Sequence, residues 1–168
     1  MAERTALARL IVDGGGSAAV DTPAARPRPI GREAVPMLAE IPLFASLSHR
    51  HLGRIASVAS TRRYAPRSTL ALRGKPADAF FVILDGSVRV ELPGGRTVEL
   101  GAGDFFGEMA LIDGEPRSAT VVAVGDVYVM TIPRAKFLKL LHAEPKIMLA
   151  IMTTLTRRLR DVQAAVGQ

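Results

Sequence analysis

The middle of the chain is a dense succession of short apolar runs separated by turn residues. From about residue 61 to residue 132, apolar positions alternate with polar ones, and Gly, Pro or Asp interrupts the pattern every few residues. Side chains of a strand alternate between two faces, so this period predicts short strands. About seven or eight strands predict a β-sandwich or barrel. The runs are 61–64, 68–72, 79–84, 87–92, 97–100, 119–124 and 127–132.

Three turns link neighbouring runs. Asp85-Gly86 and Gly125-Asp126 each separate two runs by two residues, which predicts two hairpins. The longer Pro93-Gly94-Gly95 turn leads into the run at 97–100.

Segments with helical spacing lie on both sides of the strands. Before them, Ser48 precedes apolar residues at intervals of three and four, which predicts a capped amphipathic helix. After them, Pro133 and Pro145 each stand where a helix is expected to open, because proline suits the first helical turn. The second of these helices, at about residues 146–165, would be roughly 30 Å long. The predicted class is mainly β with flanking helices.

The first 34 residues differ in composition from the rest. They contain Gly14-Gly15-Gly16 and three prolines, Pro23, Pro27 and Pro29, with few large apolar side chains. Such a composition is typical of a flexible or disordered segment. We therefore expect residues 1–34 to be flexible and residues 35–168 to form one domain.

Composition narrows the class of protein. With 168 residues, 48% hydrophobic and 23% charged, the chain suits one globular domain. No apolar run approaches the roughly 20 residues of a membrane span, and the start of the chain lacks a signal-peptide pattern. There are no cysteines. These features predict a cytoplasmic protein.

A formal net charge of +6 could serve to bind the phosphates of a nucleic acid. The basic residues are dispersed, and no aromatic residues interleave with them, so we do not expect DNA as a partner. We interpret Arg157, Arg158 and Arg160 as a solvated helix face. The three histidines are interpreted as surface residues and not as metal ligands. These are His49, His51 and His142.

Residues 106–121 place an acid and an arginine at the two ends of a glycine-started segment. An arginine fork such as that of Arg117 can hold a phosphate through two charge-assisted hydrogen bonds, and a carboxylate such as Glu108 can accept from a ribose hydroxyl. Between them, residues 108–112 are predicted to form one or two helical turns that begin after Gly107. The free amides of the first residues of that helix would point at an anion. This is the layout of a sugar-phosphate site.

The same segment resembles the phosphate-binding cassette of cyclic nucleotide-binding domains. Its Phe-Gly-Glu, small-apolar pair, spacer and Arg-Ser-Ala-Thr-Val elements are all present, and the resemblance runs from about Pro42 to about Asp161. It implies a β-roll of jelly-roll type with N-terminal helices and two C-terminal helices. Two alternatives remain: Glu108 and Arg117 form a surface ion pair on a turn, or the fold is kept while binding is lost.

The resemblance also implies roles for individual residues. Glu108 would accept the ribose 2′-hydroxyl, Arg117 would pair with the cyclic phosphate, and Ser118 could donate to it. Three apolar strand residues are candidates to line the pocket around the base, although core packing explains them equally well: Val88, Val90 and Leu100. Gln163 falls near the base-capping position of the last helix. The candidate ligand-binding residues are Phe106, Gly107, Glu108, Met109, Ala110, Arg117, Ser118, Ala119, Val88, Val90 and Gln163.

The last predicted helix carries an apolar stripe with heptad spacing, the pattern of a helix that pairs with another. Its members are Met148, Met152, Leu155, Leu159, Val162 and Val166. In the family this helix can form a dimer interface. Alternatively, the stripe packs on the β-roll of its own chain, with Ile147 and Ile151 widening the apolar face. Both interpretations are open at this point.

The sequence contains no recognisable set of catalytic residues, such as a Ser-His-Asp set or a Walker-type glycine loop. We therefore expect that the protein is not an enzyme. The leading hypothesis is a stand-alone sensor of cyclic AMP, with cyclic GMP as the alternative, that acts on a partner protein through its last helix. Cyclic AMP leads because most bacterial relatives use it. No cofactor is expected.

A second hypothesis is a transcription-regulator-like protein without its DNA-binding head, since the chain ends soon after that helix. A metalloenzyme on a similar β-roll would need a cluster of His and carboxylates that the strands lack.

Overall fold

The computed structural model of the chain describes residues 28–167 and contains two antiparallel sheets. The five-stranded sheet has the order β1-β2-β9-β4-β7, and the four-stranded sheet has the order β3-β8-β5-β6. The strands are β1 Arg28–Pro29, β2 Ser60–Tyr64, β3 Thr69–Ala71, β4 Ala79–Asp85, β5 Ser87–Glu91, β6 Thr97–Gly101, β7 Phe105–Phe106, β8 Thr120–Ala123 and β9 Val127–Pro133.

Five α-helices surround the sheets within the described part of the chain. They are α1 Val35–Ala39, α2 His49–Val58, α3 Glu108–Asp113, α4 Arg134–Ala143 and α5 Pro145–Val166. Short 3-10 turns lie at Arg32–Ala34, Pro42–Phe44 and Pro93–Gly95. The predicted cap of α2 is confirmed, because the Ser48 side chain accepts from the backbone amide of His51 at 3.4 Å. The predicted β-roll with flanking helices is also confirmed.

The apolar residues form two clusters. One joins the helices to the outer side of the five-stranded sheet and includes Phe44, Phe80, Phe137, Ile147 and Ile151. The other fills the space between the two sheets and includes Phe81, Ile83, Val88 and Phe106. Alternation along β4 explains the division, since Phe80 belongs to the first cluster and Phe81 to the second.

Both predicted hairpins are wrong. β4 pairs with β9 and β7, while β5 pairs with β8 and β6, so neither the Asp85-Gly86 turn nor the Gly125-Asp126 turn joins paired strands. Each turn is instead a corner at which the chain passes from one sheet to the other. The two corners lie together, and a Cβ at Gly86 would lie 2.4 Å from the Asp126 carbonyl oxygen. The turn at residues 93–95 does join the paired strands β5 and β6.

The fold includes residues assigned to the flexible segment by composition. β1 pairs with β2, and Ile30 and Ala34 are buried in the helix-side cluster. Residues 28–34 therefore pack onto the domain, and the boundary predicted at residue 35 is too late. The rest of that segment, residues 1–27, lies outside the described residues.

Helix α5 presents two different apolar faces. Ile147 and Ile151 are each 1% exposed and pack on the helix-side cluster. The heptad stripe turns away from the roll, with only Leu155 partly buried against it. Its exposed members are Met148, Met152, Leu159, Val162 and Val166. Packing of the stripe on its own β-roll is thus wrong. Among residues 28–167, no helix has the length and apolar character needed to cross a bilayer.

Candidate functional site

Gly107 brings the start of α3 against Arg117. Its φ is 87°, in the left-handed region that favours glycine, and it immediately precedes the first residue of the helix, Glu108. A Cβ at this position would lie only 2.5 Å from Nη1 of Arg117. Glycine is therefore required both for the turn into α3 and for the close approach of the guanidinium.

The Arg117 guanidinium is buried and held in place by backbone. Nη1 donates to the Gly107 carbonyl oxygen at 2.9 Å, and Nη2 donates to that of Ala79 at 2.7 Å. Nη2 also pairs at 3.2 Å with Asp78, whose side chain is 87% exposed. Of the five guanidinium N–H donors, the Nε–H and one on Nη1 have no partner among residues 28–167. The arginine is thus fixed in position with donors left for an anion.

Glu108 is a buried carboxylate with one unsatisfied oxygen. The residue is 3% exposed, its Oε1 lies 3.5 Å from Nη1 of Arg158, and its Oε2 has no hydrogen-bond partner within the described chain. Burial raises the pKa of the Glu108 carboxyl, because desolvation outweighs the lowering by its own backbone amide, Arg158 and Arg117. An unpaired buried acceptor of this kind is suited to a hydroxyl donor from a ligand.

These contacts exclude a surface ion pair between Glu108 and Arg117. Both side chains are buried, and their nearest charged partners are different residues, Arg158 for the acid and Asp78 for the arginine. Glu108 and Arg117 are therefore not paired with each other, and each can contact a different group of a ligand.

Sequence reasoning missed Arg158 and placed it on a solvated face. Its Nη2 donates to the Phe105 carbonyl oxygen at 2.8 Å, and its guanidinium lies 4.8 Å from the centre of the Phe105 ring. The available signal was its spacing, because Arg158 continues the buried side of α5 marked by Ile151 and Leu155 at helical intervals. A long helix therefore contacts the candidate site through one arginine.

The other predicted ligand-binding residues lie partly in the core and partly on the surface. Phe106 stacks on Phe81 with ring centres 4.7 Å apart, and Ala110 is buried. Met109 is 52% exposed and Ser118 is exposed, while Ala119 is half-buried.

Of the predicted base wall, Val88 is fully buried between the sheets, whereas Val90 and Leu100 are half-buried against that cluster. Val88 therefore belongs to the core, and Val90 and Leu100 are better placed to meet a ligand.

Gln163 does not lie beside the other candidates. It is exposed and follows Arg158 by five residues. At about 100° per residue, its side chain leaves α5 roughly 140° around the helix from Arg158. Because Arg158 marks the side that contacts the site, Gln163 is directed away from it.

The buried acid has a consequence for stability. A raised pKa means that protonated Glu108 favours the folded domain and ionised Glu108 opposes it. The penalty is absent below the ordinary value of 4.5, grows as pH rises from that value to the folded pKa, and is constant above it. We expect Glu108→Gln to raise the melting temperature relative to wild type at about pH 8 and to lose that advantage near pH 4.

Thermal unfolding at the two pH values checks this expectation, with the exposed Glu99→Gln as the matched control. An advantage of Glu108→Gln that is the same at both pH values would contradict it.

Comparisons with known proteins agree with this geometry. The family model described as cyclic nucleotide-binding domain matches residues 61–144, which are 84 of 168 residues. The chain is 40% identical over 111 residues to a cyclic nucleotide-gated potassium channel of Mesorhizobium japonicum, covering 66% of this chain and 31% of the channel. It spans about a third of the length of the first curated relatives that it matches, 31% and 34%.

Two solved structures are similar to the fold. The catabolite activator protein of Thermus thermophilus has a TM-score of 0.67 at 30% identity, over 75% of this chain and 62% of that one. The regulatory domain of Toxoplasma gondii PKA, crystallised with cAMP, has a TM-score of 0.65 at 26% identity, over 74% of this chain and 50% of that one. With the family model matching half of its length, the chain belongs to the cyclic nucleotide-binding domain family.

Proposed function

We propose that this chain is a sensor that binds cyclic AMP at the cassette formed by Gly107, Glu108 and Arg117. One observation carries the proposal: within residues 28–167, a buried Glu108 carboxylate oxygen has no hydrogen-bond partner, and the buried Arg117 close enough to lower its pKa has donors without partners. A ribose hydroxyl and an adjoining phosphate are the chemical groups that would satisfy both residues. The role is binding and not catalysis.

Glu108 and Arg117 would bind different parts of the ligand, the ribose hydroxyl and the cyclic phosphate. The cyclic phosphate accepts from the Nε–H and the second Nη1–H of Arg117, while the two hydrogen bonds of Arg117 to backbone carbonyls stay in place. The guanidinium needs little reorganisation, because it is already fixed before the ligand arrives. The exposed Asp78 carboxylate is the partner that phosphate can most readily replace, since its side chain is free to turn into solvent.

Cyclic AMP is proposed over cyclic GMP on the strength of the relatives. The T. gondii domain was crystallised with cAMP, and cAMP-dependent protein kinase regulatory subunits are among the similar curated proteins, for example 34% identity over 106 residues in Colletotrichum orbiculare. Ser118 is compatible with either purine, so a direct comparison of the two nucleotides is needed.

We further propose that α5 carries the signal to a partner. Arg158 connects this helix to the site through Glu108 and the Phe105 carbonyl oxygen. A ligand that contacts Glu108 would change the charge and the hydrogen bonding that Arg158 meets. Because a ligand shifts an equilibrium only by its differential affinity, this contact is where the two helix positions would differ in energy.

Hydrogen exchange tests the proposed output. We expect backbone amides of α5 to exchange more slowly when cyclic AMP is added, because the ligand stabilises one position of the helix. Arg158→Ala should reduce this protection while leaving exchange in β4 and β9 unchanged. If exchange in α5 is unaffected by cyclic AMP while binding is confirmed independently, the signal does not pass through this helix.

The heptad stripe of α5 is proposed to pair with a second copy of the chain. Its spacing of four and three residues is the period at which two helices supercoil, and five of its six members are exposed. Sedimentation equilibrium should give the mass of a dimer. A monomer at all concentrations would leave the stripe for a different protein partner.

A further inference from the structure

A single residue, Glu144, separates α4 from α5. Its φ and ψ of −128° and 79° are not helical, and Pro145 opens the next helix. Its N–H donates to the Leu140 carbonyl oxygen at 2.9 Å, and its own carbonyl accepts from the Ile147 amide at 3.0 Å. The backbone of Glu144 therefore closes one helix and starts the other. This residue is the elbow on which the direction of α5 depends.

The side chain of Glu144 ties this elbow to a helix far away in sequence. The carboxylate is 4% exposed, with Oε1 at 2.7 Å from Nη1 of Arg54 and Oε2 at 3.2 Å from Nε2 of His51. His51 and Arg54 lie three residues apart on α2 and so point the same way. His51, interpreted from sequence as an ordinary surface residue, is thus one of two partners of a buried acid. We call these three residues the elbow clamp.

The clamp supplies something that apolar packing does not. Ile147 and Ile151 hold the first turns of α5 on the core along one stripe, and apolar contact is not directional. A buried carboxylate engaged through both oxygens fixes both a position and an orientation, whether or not it adds net stability. The clamp and the isoleucines together determine the angle at which α5 leaves the elbow.

That angle decides whether Arg158 reaches the site. At 1.5 Å per residue, Arg158 lies about 21 Å along α5 from Glu144. A tilt of about 10° at the elbow would move a point at that distance by almost 4 Å, given this helix length. The contacts of Arg158 with Phe105 and Glu108 span only 2.8 and 3.5 Å, so such a tilt would break them.

We propose that the elbow clamp is a positioning device that sets α5 so that Arg158 reaches Glu108. His51, Arg54 and Glu144 are positioning residues that lie outside the nucleotide site and act on it through α5. The influence on cyclic AMP affinity rests on the proposed function. The coupling between the clamp and Arg158 does not, because it is a property of the protein without ligand.

The first test is a double-mutant cycle without nucleotide. Free energies of unfolding in urea are measured for wild type, Arg54→Ala, Arg158→Ala and the double variant. Sites more than about 10 Å apart with no shared partner normally add. We expect the loss in the double variant to be clearly smaller than the sum of the single losses, because the broken clamp has already removed the contacts of Arg158.

Two controls separate the clamp from a general effect of α2. Arg50→Ala removes an exposed arginine from the same helix and should be additive with Arg158→Ala. Arg54→Lys keeps a cation at the Glu144 carboxylate, so Arg158→Ala should cost nearly as much unfolding free energy in this background as in wild type. Additive losses for Arg54→Ala would overturn the proposal.

The second test measures affinity for cyclic AMP in the same variants. We expect Arg54→Ala to weaken binding about fivefold in the wild-type background and to have no further effect in the Arg158→Ala background. Equal weakening in both backgrounds would overturn the positioning role. Coupled unfolding energies with no binding of cyclic AMP by any variant would instead overturn the proposed function and support the clamp.

Discussion

Replacing Arg117 by alanine is expected to abolish cyclic AMP binding under ordinary assay conditions. The phosphate would lose its charged partner in a site where the Arg117 side chain is only 5% exposed. Truncating one member of such a pair costs about 2 to 5 kcal/mol, which is roughly 30-fold to several thousand-fold in affinity. Titration of the purified variant with cyclic AMP measures the loss.

Arg117 also holds the backbone of Gly107 and Ala79, so the variant needs a test of folding. Arg117→Lys keeps the charge but not the fork, and should bind more weakly than wild type and more tightly than Arg117→Ala. Arg96→Ala, an exposed arginine of the turn before β6, is the matched control and should bind normally. A folded Arg117→Ala protein within threefold of wild-type affinity would remove Arg117 from the site.

Glu108→Ala is expected to weaken cyclic AMP but to have much less effect on its 2′-deoxy analogue. The variant loses an acceptor for the ribose hydroxyl, and a hydrogen bond to a charged group contributes about 1.5 to 3 kcal/mol. The deoxy analogue lacks that hydroxyl, so it has no such bond to lose. Affinities of both nucleotides for wild type and variant complete the cycle.

Glu99→Ala, on the exposed strand β6, is the control for loss of an acid and should leave both affinities unchanged. Equal weakening of the two nucleotides by Glu108→Ala would show that Glu108 acts by holding Arg158 or α3, and not by binding the ribose.

The proximity of Gly107, Glu108 and Arg117 could be predicted from local sequence, because these residues are near neighbours in the chain. Gly107, Glu108 and Arg117 fall within eleven positions, and the short helix α3 with the loop after it connects them between two strands. The strands were found for a similar reason, since alternation is a local pattern. The cap of α2 at Ser48 is likewise a local signal.

Long-range contacts were the part that sequence could not supply. The pairing of β4 with β9 and of β5 with β8 depends on how two corners meet, and the local turn residues favour simple hairpins equally well. Arg158 meets Phe105 across 53 positions, and Arg54 meets Glu144 across 90. Charges on a helix look solvated until the surface that they contact is known.

Calorimetric titration of the wild-type protein with cyclic AMP and with cyclic GMP tests whether the cassette binds a cyclic nucleotide. We expect saturable binding of one cyclic AMP per chain, tighter than cyclic GMP, through Glu108 and Arg117. Binding of neither nucleotide by the folded protein would contradict it and would mean that the chain keeps the fold of its family without the ligand.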